Sequence, residues 1–298
     1  MISNEPKDCE DMASYDEASD GMSETVVDKN CQIDPSQSGH DHNRIVIKIG
    51  GSTLGNHDTT LDDIVELQKS GEQLCVIHGG GKIISEWMER QGVRPKFLDG
   101  LRVTDAKSLE IVVAVLTGVI NKNIVAAINA KGGSAVGLSG VDGEMVQGFV
   151  SNPKLGYVGD VGNINTTIID SAMEAGFVPV ISPVGYNKAP DTDDIFLLNI
   201  NADTVAGHIA HALKAARIVF MTDVSGVLDS SNRLISRITK RQAASLLRSN
   251  AIFGGMLPKI QACLLASESG SITQIIDGRE PGALKDALAD NLNGTRIG

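Results

Sequence analysis

Ile45-Val46-Ile47-Lys48-Ile49 places a lysine inside a run of β-branched residues, and Gly50-Gly51-Ser52 halts that run at once. The pattern predicts a buried strand ending in a glycine turn. An ammonium group is costly to bury without an anion, so Lys48 either snorkels to the strand end or serves a negatively charged ligand. Gly50 and Gly51 lack a Cβ and let backbone N–H groups approach a phosphate, and a helix opening near Leu61-Asp62-Asp63 would add its N-terminal dipole. Taken alone, the block reads first as a strand and turn with no ligand, since Gly-Gly turns are common after strands.

The layout then repeats. Gln73-Leu74-Cys75-Val76-Ile77 runs into His78-Gly79-Gly80-Gly81, and Arg217-Ile218-Val219-Phe220-Met221 runs into Thr222-Asp223-Val224-Ser225-Gly226-Val227-Leu228. A further glycine turn, Phe253-Gly254-Gly255, precedes Met256-Leu257-Pro258-Lys259, so Lys259 is the counterpart of Lys48. Strand, glycine turn and helix in succession predict an α/β fold with a parallel sheet whose ligands bind at the carboxyl ends of the strands. His78 at such an end reads first as a hydrogen-bonded structural residue and only second as catalytic.

Between these blocks the spacing predicts helices over 61–69, 82–91 and 106–130, with Trp87 as packing in the second and Thr104 as N-cap of the third. Arg102, in the turn-rich Asp99-Gly100-Leu101-Arg102-Val103, is either held toward a carboxylate or a solvated surface charge. Strands are expected over 134–138, 178–181 and 272–276, hairpins within the glycine-rich 140–165, and helices over 240–250 and 283–289. Asn199-Ile200-Asn201-Ala202-Asp203 precedes a helix over 204–215, so Asp203 is a candidate cap as well as a candidate site residue. His208 and His211, with no third ligand nearby in sequence, read as a solvated face of that helix.

A chain of 298 residues can bury a core as one large domain or two joined lobes. No apolar run is seen that approaches the roughly 18 residues of a membrane span, and no secretory pattern opens the chain, so the default compartment is the cytoplasm. Cys9, Cys31, Cys75 and Cys263 are dispersed and lack zinc-like spacing. Residues 1–43 hold eleven carboxylates against Lys7 and Lys29, which is −9 of the formal −11. Such an acidic, aromatic-poor segment is expected to be a disordered tail. Neither basic patches nor stacking aromatics suggest nucleic acid.

Lys48-Ile49-Gly50-Gly51, His78-Gly79-Gly80-Gly81, Gly100-Leu101-Arg102-Val103-Thr104-Asp105, Asn199-Ile200-Asn201-Ala202-Asp203 and Gly254-Gly255-Met256-Leu257-Pro258-Lys259 together resemble the amino-acid-kinase family over residues 44–298. Within that family the chain is similar to the members that phosphorylate the γ-carboxylate of free N-acetyl-L-glutamate with ATP, a step of arginine biosynthesis. The resemblance implies an open, mostly parallel sheet sandwiched between helical layers, an amino-terminal lobe (44–213) for the acyl amino acid and for dimerisation, and a carboxy-terminal lobe (214–298) for ATP. It implies Lys48 and Lys259 on the transferring phosphoryl group, Asp203 holding both, Gly80 and Gly81 lining the acyl amino acid pocket, and Arg102 and Asn199 on the α-carboxylate. The nucleotide side would comprise Gly50, Gly51, Asp223, Val224, Ser225, Gly226, Val227, Leu228, Ala251, Ile252, Phe253 and Gly255, with Mg2+ carried on the ATP phosphates and no protein metal site.

The same resemblance makes Gly156-Tyr157-Val158-Gly159-Asp160 a flap over the substrate and the assembly a homodimer. An ionised γ-carboxylate needs no general base, and the blocks offer none; they offer cations and backbone donors for spreading phosphoryl charge. Rival readings are a kinase for a carrier-protein-linked aminoadipate or glutamate, a catalytically silent amino-acid sensor on the same scaffold, and a dinucleotide oxidoreductase, the last weakened because no GxGxxG follows the first strand. Pro35 to Asn43 lacks the apolar-patterned helix found in arginine-inhibited relatives, so insensitivity to arginine is expected.

Overall fold

The computed structural model describes residues 44–50, 59–188, 196–229, 231–249, 254–291 and 293–298. The expectations for the acidic segment 1–43, Gly51, Ala251, Ile252 and Phe253 fall outside these residues.

Strands and helices alternate from the start: β1 (Arg44–Ile49), α1 (Thr60–Lys69), β2 (Gln73–His78) and α2 (Gly81–Arg90), then the two-residue strands β3 (Phe97–Leu98) and β4 (Leu101–Arg102). Helix α3 (Ala106–Val113) passes through a π-helical segment, Ala114–Ile120, into α4 (Asn121–Ala130). There follow β5 (Ala135–Ser139), β6 (Val146–Phe149), β7 (Val158–Ile164), α5 (Thr167–Glu174), β8 (Val178–Ser182), β9 (Val184–Asn187), β10 (Leu197–Ile200) and α6 (Ala202–Ala212). The last third is β11 (Arg217–Thr222), β12 (Arg237–Ile238), α7 (Lys240–Arg248), α8 (Met256–Glu268), β13 (Ile272–Asp277), α9 (Ala283–Leu288) and β14 (Gly294–Ile297).

Eight strands form one sheet in the order β12-β14-β13-β11-β1-β2-β8-β5. All neighbours are parallel except β13 and β14, so the sheet is mostly parallel, as the repeated strand-to-glycine turns require. Strand β1 lies between β11 and β2, and its alternation divides the core. Val46 packs with Cys75, Ile77, Ile218 and Phe220 under α5 to α8, while Ile45, Ile47 and Ile49 pack with Val76, Val219 and Met221 under α1 to α4 and α9. Lys48 shares the parity of Val46, so its side chain leaves the sheet on the α6 and α8 face.

Strands β6 and β7 make the hairpin expected of the glycine-rich segment and close with β9 and β10 into a small four-stranded ring. The sequence reading had no strand at β9, whose four residues carry Gly185 in place of an apolar alternation. It also placed several helix ends a few residues off, as at α6 and α7.

Two sequence expectations are corrected here. Thr104 does not cap α3; Asp105 does, accepting from Ser108 N at 2.8 Å, because the extended backbone of Asp105 is the last before the helix. And the 25-residue helix Ala106–Ala130 contains an 18-residue stretch of mean hydropathy 2.0, long and apolar enough by length and composition alone to cross a membrane, contrary to the expectation that no stretch approaches that length. Here Ile111, Val112, Val115, Leu116, Ile120, Ile124 and Ile128 join the core beside the sheet.

Candidate active site

Lys48 Nζ lies 2.9 Å from Asp203 Oδ1, and Lys259 Nζ lies 2.9 Å from Asp203 Oδ2. Three elements converge to make this arrangement: the central strand, the first turn of α6 and the first turn of α8. Asp203 is buried, and it is not the helix cap that its position suggested. Asn201 caps α6 instead, its side-chain oxygen accepting from Asp203 N at 2.9 Å and Thr204 N at 3.2 Å. That leaves the Asp203 carboxylate for the two lysines. Burial acts to raise its pKa, but the adjacent charges of Lys48 and Lys259 outweigh it and hold the carboxyl below the ordinary range. Lys48 therefore does not snorkel; it ends on a buried anion.

The same carboxylate stands on the wall of a cavity of about 250 Å³. Lys48, Gly80, Gly81, Arg102, Asn199 and Asp203 all line it, with Ile84, Phe97, Leu101, Leu116, Val158 and Pro183 as its apolar wall. Helix α2 begins at Gly81 with no side-chain cap, which leaves the first-turn N–H groups as natural partners of an anion. Gly80 sits close under the long helix: a Cβ would stand 2.3 Å from Ile120 Cδ1 and 2.9 Å from Leu116 Cδ2, so both side-chain tips would have to move to admit one.

Arg102 is buried rather than solvated. Its Nη2 donates to Gly81 O and Ser85 Oγ, both at 2.8 Å, its Nη1 lies 3.1 Å from Met88 Sδ, and its guanidinium carbon sits 4.8 Å from the centre of the Phe97 ring. Among the described residues it has no carboxylate partner. Burial lowers its pKa from the ordinary arginine value, though not its charge at neutral pH. Asn199 Nδ2 donates to Thr104 Oγ1 at 3.0 Å, and that hydroxyl donates to Arg102 O at 2.9 Å, so Asn199 and Arg102 are tied together.

Residues 156–160, read as a flap, enter β7 with Tyr157 N donating to Thr104 O at 2.7 Å, and Val158 lies on the cavity wall. Gly50 N donates to Met221 O at 3.1 Å, so the first glycine turn leaves β1 beside the end of β11. Asp223 to Leu228 follow β11 on that edge but do not line the cavity; Gly226 and Val227 are buried, with Val227 N donating to Thr295 Oγ1 at 2.8 Å, while Asp223, Val224, Ser225 and Leu228 are exposed. Gly255 precedes α8 and accepts from Lys259 Nζ at 3.0 Å. His208 and His211 are half-buried, not a solvated face, because α6 packs on α8; His211 Nδ1 lies 3.1 Å from Leu265 O.

Sequence reasoning missed Ser85, Met88, Phe97 and Leu116. The first two follow from the position of α2, which no local pattern gives. Phe97 had a signal: Asp99 and Gly100 both have positive φ (51° and 82°), the two-residue turn that Asp-Gly favours between paired strands.

A central lysine, an aspartate shared with a second lysine and an uncapped helix start, all at the carboxyl edge of a parallel sheet, define a phosphate-handling α/β enzyme. The profile of the amino acid kinase family matches residues 43–277, and the chain belongs to that family. Relatives named acetylglutamate kinase include one from Dehalococcoides mccartyi, 43% identical over 85% of this chain and 93% of its own, and one from Methylobacterium nodulans, 39% identical over 88% and 91%. Among solved structures, smu.665 of Streptococcus mutans is similar with a TM-score of 0.72 and 31% identity, covering 86% of this chain and 98% of that one. N-acetylglutamate synthase of Neisseria gonorrhoeae has a TM-score of 0.73 at 23% identity, covering 86% of this chain and 59% of that one, a likeness of fold.

Proposed function

We infer that the chain catalyses ATP-dependent phosphorylation of the γ-carboxylate of N-acetyl-L-glutamate, giving an acyl phosphate for arginine biosynthesis. The observation that carries the substrate is Arg102: a buried guanidinium on the wall of a small cavity, with no carboxylate partner among the described residues, is a receptor for one. Across the same cavity stand Lys48 and Asp203, so a dicarboxylate held by Arg102 and Asn199 at one end presents its other carboxylate to the lysines. An α-ammonium group would meet no available anion there, because Asp203 is taken by two lysines; an uncharged N-acyl group instead suits the walls made by Ile84, Leu101, Leu116 and Phe97.

In the reaction a γ-carboxylate oxygen forms a bond to the γ-phosphorus of ATP while the bond to the ADP oxygen breaks. No proton has to be removed from an ionised carboxylate. What limits the step is repulsion between two anions, which Lys48, Lys259 and the N–H groups at Gly80 and Gly81 counter. Asp203 fixes both ammonium groups in place before substrates arrive, so no reorganisation is required at that moment. Mg2+ suits the nucleotide phosphates rather than a protein cage, since Asp203 is already spent and no group of three ligand-type side chains occurs among the described residues.

We assign Gly50 and Gly51, the loop Asp223 to Leu228, Ala251 to Phe253 and Gly255 to the nucleotide side; of these, Gly50 and the loop Asp223 to Leu228 lie at the edge that β1 and β11 share. Residues 44–213 then serve the acyl amino acid and 214–298 serve ATP, with the Asp203–Lys259 ion pair joining the two. We also propose a cytoplasmic homodimer, supported by the partly exposed face of the long helix at Ala114, Gly118, Lys122 and Ala126. ATP turnover with N-acetylglutamate, glutamate and aspartate side by side, trapping acyl phosphate with hydroxylamine, tests the reading. Hydroxamate is expected from N-acetylglutamate alone. No turnover would favour a silent sensor or a carrier-linked acceptor.

A further inference from the structure

His78 closes β2 immediately before the glycine loop, and its ring is 1% exposed. Nδ1 lies 3.0 Å from Gly79 O, and Nε2 lies 3.3 Å from Asn121 Nδ2. The Asn121 amide is oriented by its other partners: Nδ2 donates to Val180 O at 2.8 Å and shares its second hydrogen between His78 Nε2 and Leu138 O, the latter at 3.2 Å, while Oδ1 accepts from Lys122 Nζ at 3.1 Å. An amide nitrogen only donates, so Nε2 of His78 accepts, and its proton sits on Nδ1, which donates to Gly79 O. Burial, with Lys48 and Lys122 nearby, brings the pKa of the ring down to about 4, so this neutral tautomer persists at working pH.

Gly79 O belongs to the peptide that carries the Gly80 N–H. In a trans peptide the two point in opposite directions, so fixing the carbonyl on the imidazole directs the Gly80 N–H away from it. The long helix completes the support. Its π-helical segment has a wider turn than an α-helix, which lets residues five apart share a face. Leu116 and Ile120 press on Gly80, and Asn121 reaches His78 from the same stretch.

We propose that His78 and Asn121 are positioning residues for phosphoryl transfer, the imidazole acting as a spacer that pins the Gly79–Gly80 peptide and so aims the loop donors at the reacting anions. The inference rests on the reading of Gly80 and Gly81 as lining the acyl amino acid and phosphoryl site. It assigns no proton transfer to His78.

Three variants separate the bonds, each assayed for hydroxamate formation with separate KM values for N-acetylglutamate and ATP and with the melting temperature measured alongside. His78→Asn keeps a donor near the Nδ1 position, His78→Gln moves the amide out to the Nε2 position, and His78→Phe removes both. The Asn variant should stay within about fivefold of wild-type kcat, while the Gln and Phe variants lose roughly a hundredfold with KM values little changed, as displacement of a transition-state donor predicts. Folded Gln and Phe variants with normal kcat, or an Asn variant as impaired as the Gln variant, overturn the proposal; the Asn and Gln comparison decides it even if the Phe variant does not fold. Gly80→Ala, which puts a methyl group against the tips of Ile120 and Leu116 at the anion loop, tests the underlying reading. If Gly80→Ala loses turnover and His78→Gln does not, only the positioning role falls; if both are fully active, the loop is not the anion site and both readings fall.

Discussion

Asp203 and Lys259 stand 2.9 Å apart across 56 positions of sequence. The contact follows from how closely α6 and α8 approach. At Gly207 a Cβ would lie 2.7 Å from Ala262 Cα, so only glycine allows this crossing. Asp203 is one turn before Gly207 and Lys259 nearly one turn before Ala262, which brings both helix starts to the end of β1, where Lys48 waits. The helix contact thus sets the spacing of the charged groups, and the charged groups define the site.

Two lysines on one carboxylate leave a net charge of one positive unit. Replacing either Lys48 or Lys259 with methionine leaves a neutral pair, so stability should change little. Turnover should fall at least a hundredfold, about 3–4 kcal/mol of transition-state stabilisation. Asp203→Ala does the opposite: it leaves the buried Lys48 and the half-buried Lys259 without their anion, and stability should drop by about 3–5 kcal/mol. Chemical denaturation together with kcat measures the contrast. A lysine variant that keeps near-normal turnover would remove both lysines' proposed role.

Arg102→Lys should raise the KM for N-acetylglutamate far more than the KM for ATP. One ammonium group cannot serve Gly81 O and Ser85 Oγ, stack on Phe97 and still offer a two-pronged face to a carboxylate. An increase of roughly tenfold or more in the first constant alone is expected for loss of a charge-assisted pair. Equal effects on both constants would place Arg102 elsewhere than on the acyl amino acid.

Acid should weaken the fold through His78 before it reaches Asp203. The folded imidazole titrates at about 4 against 6.5 for the free side chain, so the unfolded chain binds the extra proton between these values. Stability from this group is complete above 6.5 and is lost as pH falls toward 4, by about 3 kcal/mol in all. Asp203, whose carboxyl is held low, contributes above the ordinary carboxylate value and gives that up only as pH falls below about 4. Urea unfolding of wild type and His78→Asn between pH 7 and pH 4 isolates the histidine: the difference between them should narrow as pH falls. A constant difference would mean that His78 does not titrate in this window.

The parallel sheet and the identity of the charged residues were legible because each rests on a local pattern. Lys48 was conspicuous as a charge in an apolar strand, and Lys259 and Asp203 by their places at helix starts. The roles within a turn were not legible. Asn201 and Asp203 are both good caps, and only the position of the lysines decides which carboxylate or amide turns toward the helix. Arg102 was equally ambiguous, since its burial comes from α2 and Phe97 rather than from its own segment. The helix over Ala106–Ala130 was legible in its full length, but its apolar character was underestimated because Lys107, Glu110 and Lys122 interrupt the run in sequence while its buried positions line up beside the sheet.

Gly207→Val tests whether the helix crossing sets the chemistry. The added side chain meets Ala262 backbone atoms, at 2.7 Å from Cα and 3.0 Å from O, which cannot rotate aside. Helix α8 must therefore shift from α6, at a cost of about 1–3 kcal/mol or more for overpacking. The shift carries Lys259 away from Asp203, whereas Lys48, rooted in the central strand, keeps its partner. Folded Gly207→Val protein should accordingly show a kcat near that of Lys259→Met, and adding Lys259→Met should reduce it little further, since both changes remove the same contact. Fully additive losses, or a folded Gly207→Val enzyme with wild-type kcat, would show that the Lys259 ammonium is positioned independently of this crossing.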